Sequence, residues 1–365
     1  MFEVLICSLF ITLAAAQADA PDAQHGAFAD AFARAVECAR DLKVDRTIGR
    51  LALSPYVQIV EGIPEPAEED LRVLEEKGWK RDLPSSSLAW LVIARSSRSA
   101  PAREILIKQA LGGDAGVVLA ISFAPPPYSK QMLEEIVPKP VFWGVTSHSL
   151  DLLSHIGDRS TLSKLREMRL NESRINVPRM LDNTIRCLEV KLALPEIEQE
   201  SWTKMGVTYW RAVPEASISV LGERRFMFAA GRLSACGNHF PTSFLRCRAQ
   251  SGDPLAILLA GEQREATLVE PVRKVAERGG WEGGLAIASL GKIGTDEATE
   301  VLAGLAKPGD SIRNRDVSRA LSQGNKKAEA VIEKFLQNKD YEESWPLFES
   351  ALSSLRKRIE LEKNQ

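Results

Sequence analysis

Cys236, His239 and Cys247 come closest to a metal site among the residue types and spacings of this chain. Cys-x-x-His spacing suits zinc, which takes thiolate sulfur and imidazole nitrogen in a tetrahedron, but a closed structural site needs a fourth ligand. Helix packing already explains the spacing of the trio, so no metal is expected. The two thiols can form a Cys236–Cys247 disulfide or remain packed thiols beside a surface histidine. Gly279-Gly280-Trp281-Glu282-Gly283-Gly284 precedes a helix, where free backbone N–H groups can cradle a phosphate. No strand or lysine completes such a cradle, and the run is read as a linker. Nucleophile-elbow, phosphate-loop and His-Glu-x-x-His motifs are absent from the sequence. The histidines are His25, His148, His155 and His239, few agents for acid–base work. The sequence therefore implies no catalytic residue and no cofactor, and the chain is not expected to be an enzyme.

Binding is the remaining class of function. Trp202, Tyr209, Trp210 and Arg211 place aromatic surface beside charge, a composition enriched at interface hot spots. The competing reading has these aromatics pack an irregular insertion against the helical stack. With a formal net charge of −2, no strong basic excess argues for wrapping a nucleic acid, and no nucleic-acid partner is expected. The alternative class is an enzyme or enzyme accessory with its site in the irregular first half or in the region 205–250.

The elements that would position these residues are helical. Phe28, Phe32, Val36 and Ala39 line one face of a helix spanning Asp22 to Leu42. An acidic stretch follows, with Pro64 and Pro66 among Glu61, Glu65, Glu68, Glu69, Asp70, Glu75 and Glu76; it reads as a solvated connector and an exposed helix face. Ser129 is expected to cap a helix whose buried face holds Met132, Leu133, Ile136 and Val137.

The second half repeats. A shift of thirty residues aligns Leu268 with Ala298 and Ala328, Val272 with Leu302 and Ile332, and Val275 with Leu305 and Phe335. These positions form the core-facing stripe of a second helix in each unit. Ile257, Ile287 and Val317 mark the first helix. Thr295 is placed to cap a second helix whose first turn carries Asp296 and Glu297, and Thr267 with Glu270 reads as a capping box. Each unit is a helix, a tight turn, a helix and a break.

Leu290 to Leu305 resembles the short HEAT-type repeat of bacterial proteins, the variant also found in phycobilisome-lyase-like chains. Leu153 to Asp158 carries the same turn signature. The resemblance implies an all-α chain built as an α-solenoid of stacked helical hairpins, whose surfaces bind protein partners. It carries no chemistry with it.

The expected organisation is a signal peptide over 1–18, an N-terminal helix and acidic connector over 19–87, and irregular HEAT-like repeats over 88–204. An irregular insertion or loop near 205–221, within 205–225, precedes regular thirty-residue repeats over 226–365, closed by a helix from Leu347 to Arg358. Val4 to Ala16 is apolar and too short to span a bilayer comfortably, and Ala16-Gln17-Ala18 presents small residues for cleavage. The chain is thus expected to be exported to the periplasm or cell envelope, with no stable membrane span after cleavage. Its expected role is that of a protein-binding scaffold or adaptor.

Overall fold

The computed structural model describes residues 21–41, 56–79, 84–217 and 223–363. The expected signal segment lies outside them. Among the described residues the chain is helical and contains no strand, as expected for an all-α protein. The chain divides into two compact units, Met1–Leu192 with Gly206–Ser219, and Ala193–Met205 with Val220–Gln365, each taken over its described residues.

The first unit contains α1 (Pro21–Asp41), α2 (Val57–Glu61), α3 (Glu68–Trp79), α4 (Ser85–Arg95), α5 (Ala100–Leu111), α6 (Ala115–Ile121), α7 (Pro126–Ile136), α8 (Trp143–Ile156), α9 (Arg159–Asn171) and α10 (Val177–Leu192). Helix α4 packs on α6, α6 on α8 and α8 on α10, while α3 packs on α5 and α5 on α7. Alternate helices thus form two layers. Side-chain caps start several of them: Ser99 accepts from the Ala102 N–H at 3.3 Å, Asp114 from the Gly116 N–H at 2.8 Å, and Asp158 from the Thr161 N–H at 3.0 Å. Ser129 is not a cap. Helix α7 begins at Pro126, where a missing N–H costs nothing, and the Ser129 hydroxyl donates back to the Pro126 carbonyl at 3.0 Å.

The acidic stretch is less solvated than its composition implies. Asp70 is buried, accepting from the Ala67 N–H at 2.9 Å and pairing with His25, so it caps α3 and pins it to α1. Glu65 accepts from the Ser96 hydroxyl, and Glu75 accepts from both Lys108 and Gln109.

Helix α11 (Glu196–Ser217) runs unbroken through the segment expected to be irregular. Pro214 falls close to its C-terminal end, where the helix has few turns left to disturb. Residues up to Met205 belong to the second unit, and those from Gly206 to the first.

The second unit continues with α12 (Glu223–Ala235), α13 (Thr242–Gln250), α14 (Pro254–Glu262), α15 (Val269–Arg278), α16 (Gly280–Ile293), α17 (Asp296–Leu305), α18 (Ser311–Leu321), α19 (Lys326–Gln337) and α20 (Trp345–Lys363). One layer is α12 on α14 on α16 on α18 on α20, the other α13 on α15 on α17 on α19. Thr295 caps α17 as expected, accepting from the Ala298 N–H at 3.2 Å, and Gly294 ends α16 in the left-handed region at φ 67°. The expected Thr267–Glu270 capping box is replaced by a 3-10 turn over Ala266–Leu268, in which Glu265 accepts from the Thr267 N–H. The glycine cluster is only in part a linker: Gly279 makes the junction, and Gly283 and Gly284 already lie in α16. Gly291 sits where α16 meets α18. A Cβ there would lie 2.6 Å from the Ala320 carbonyl oxygen.

Candidate functional site

The four residues expected to form a binding surface point inward, into two separate cores. Trp202 is fully buried in the second unit, edge-on to Phe244 with ring centroids 5.3 Å apart. Tyr209 and Trp210 are buried in the first unit, Tyr209 against His155 and Trp210 against His148. Arg211 stacks its guanidinium over Phe123 at 3.8 Å and donates to the Ser122 carbonyl. Burial lowers its pKa to about 10. A helical period explains the misreading: aromatics that look like an exposed cluster in an irregular segment become core-facing once the segment is helix.

The thiols are also placed differently from the expected pair. Cys236 is a free, exposed thiol, whereas Cys247 is disulfide-bonded, so no Cys236–Cys247 bridge forms. Cys187 is disulfide-bonded as well. His239 approaches the Gln263 amide at 3.0 Å. Among the described residues no group of three His, Cys, Asp or Glu is placed to hold a metal ion.

What the first unit does present is an exposed apolar edge made by successive inter-helix loops. Phe142 and Trp143, at the start of α8, are 59% and 61% exposed, and Leu170 and Ile175, around the α9–α10 turn, are 86% and 88% exposed. Arg174 ties these loops together by donating to the carbonyls of Lys139 at 2.8 Å and Val137 at 3.3 Å. The hydrogen bond from Arg174 in turn holds the Glu172 carboxyl below the usual carboxylate range. On the other side, a Cβ at Gly113 would lie 3.7 Å from the Phe142 Cβ, so the α5–α6 turn abuts the same edge. The edge is thus flanked by the Arg174 hydrogen bonds on one side and the α5–α6 turn on the other.

Comparison with family models and with curated proteins finds no match.

The edge has to be interpreted from its own chemistry. Full burial of a large apolar side chain contributes roughly 1.5–3 kcal/mol, so leaving four in water on adjacent loops is a cost that a covering partner would offset. One signal for it was legible: Pro138 and Pro140 break the helix just before two consecutive aromatics. Leu170 and Ile175 carry no such signal, since either would serve equally well on a buried helix face. A groove of about 760 Å³ beside α1 is lined by His25, Phe28, Asp70 and Lys77 among others. Its one tight polar pair, His25 with Asp70, already serves to join two helices. Among the described residues no helix is long and apolar enough to cross a membrane.

Proposed function

We propose that this chain is an exported HEAT-like α-solenoid acting as a protein-binding scaffold, and that the Phe142–Trp143 edge is its contact surface. The observation that carries the reading is that edge: aromatic and aliphatic tips on adjacent, mutually braced loops, the composition of an interface hot spot. The alternate-helix layering of both units supports a solenoid, because each hairpin buries its apolar stripe against the next. Disulfide-bonded Cys187 and Cys247 fit an oxidising compartment and so support export. The alternative of an enzyme with a site around 205–250 draws less support, since the aromatics and Arg211 there are engaged in core packing.

The test is co-purification from an envelope fraction, with partners identified by mass spectrometry, comparing wild type with a Phe142→Ser, Trp143→Ser double variant. A partner retained by wild type and lost by a variant of unchanged melting temperature is the expected result. Equal retention by both proteins overturns the surface assignment, and recovery of intact Met1 from soluble cytoplasm overturns export.

A further inference from the structure

The second unit carries a polar cleft of about 400 Å³, within the size range of small-molecule sites, where the turns of successive hairpins meet the closing helix. Its charged lining is strongly one-sided: Arg264, Lys292, Lys326 and Arg358 against the single carboxylate of Glu362. Arg358 binds Glu362 at 2.6 Å and also donates to the Gly324 carbonyl, which fixes its guanidinium in place. Its Nε–H is shut off from solvent with no acceptor among the described residues. Lys292 pairs with Glu262.

Arg264 is the telling residue. Its φ is 51°, in the left-handed region that L side chains rarely adopt. At the same register position the next copy has Gly294 at φ 67°, the residue type that such a turn accommodates without strain; the copy after it has Gly324, whose φ is not positive. This copy therefore holds a long cation where the next copy uses a left-handed glycine, and the cation lines the cleft. Strained residues of this kind concentrate at functional sites.

We infer that this cleft binds a small, multiply charged anion through phosphate or carboxylate oxygens, with Arg264 and Lys326 as its principal contacts. Guanidinium forks match the geometry of both oxyanions, and the ammonium adds a point charge at the first residue of α19. The site belongs to the second unit and its assignment does not depend on the apolar edge proposed to take a protein.

Calorimetric titration of the full chain with pyrophosphate and, separately, with citrate tests this at matched ionic strength. Saturable binding of at least one is expected, and the tighter of the two identifies the oxyanion chemistry. Arg264→Gly is the decisive variant because it removes the cation while relieving the backbone. Its melting temperature without ligand should equal or exceed that of wild type, while affinity falls about tenfold or more. Lys326→Ala should weaken binding in the same direction. Absence of saturable binding by either anion, or an affinity that Arg264→Gly leaves unchanged, overturns the assignment.

Discussion

The two units build the same alternate-helix layers from different interiors. In the second, the buried polar side chains on its hairpin helices, among the described residues, are the neutral Ser289, Thr299, Asn314 and Ser318, and the stripe is otherwise apolar, with Phe244 and Phe348 among the aliphatics. The first buries Gln109, His155, Thr184 and Lys191 and secures its helix ends with cations from distant segments. Arg95 donates to the carbonyls of Ile63 and Pro64 beyond α2, Arg174 to those of Val137 and Lys139 beyond α7, and Lys191 to those of His155 and Gly157 at the end of α8. Arg211 does the same for Ser122 at the end of α6. The last turn of a helix leaves carbonyls unsatisfied and carries negative partial charge, so a cation there answers both needs. The second unit uses this device too, in the Arg313 bond to the Ala276 carbonyl at 2.8 Å, but its hairpins rely more on a repeated apolar register. Uniform repeats can stack by repetition; hairpins of unequal length need individual fasteners.

The sharpest way to break this comparison is to empty each core at its aromatic. Trp210→Ala in the first unit and Trp202→Ala in the second should each cost about 3–5 kcal/mol in denaturant unfolding. Both side chains are at most 2% exposed. A loss well below that in either would return the residue to the surface role its sequence suggests.

Lys191 separates the units by pH. Burial lowers its pKa from 10.5 to about 8, the Asp158 charge opposing this only in part. Its folded pKa lies below its unfolded value, so the unfolded chain binds more protons between about pH 8 and 10.5. Stability from this group therefore rises across that window and is lost again as pH falls through 8. The swing is on the order of 3 kcal/mol. Lys191→Met should lack that rise, so the wild-type-minus-variant stability difference measured by urea unfolding should increase from pH 7.5 to pH 10.5. A difference that does not change with pH would show that Lys191 is not buried as a cation.

The smallest effect concerns close approach. Gly291→Ala forces a methyl into the Ala320 backbone and should cost about 1–3 kcal/mol. In the first unit, the corresponding test is Gly206→Ala, whose Cβ would lie 2.7 Å from the His155 ring. That contact reaches the His155 Cγ and Cβ, the root of a fully buried side chain, so the first-unit loss should be of the same order by thermal unfolding.

Legibility followed the same divide. Leu268, Val272, Leu302 and Ile332 announced their helices because one apolar stripe recurs at a fixed spacing, and all four are buried. The hairpins around Leu88 to Leu111 and Val117 to Val137 were legible more weakly, although the same layering holds them. The region from Met205 onward was misread because Tyr209, Trp210 and Val213 fit a strand pattern as readily as a helix face, and Pro214 suggested a break. The cationic cleft has no local signal, since four helices separate Arg264 from Lys326 and Arg358 lies on the helix after α19.

The sequence by itself determined the helical class, the thirty-residue register and caps such as Thr295, because each depends on residues within a few turns of one another. Tertiary structure alone decided that Trp202 and Trp210 face inward into different units, that Cys236 stays free, and that four cations ring one cleft. Those outcomes depend on which distant helices meet, and that choice balances the burial of whole faces against the satisfaction of whole helix ends, terms that no short window of residues contains.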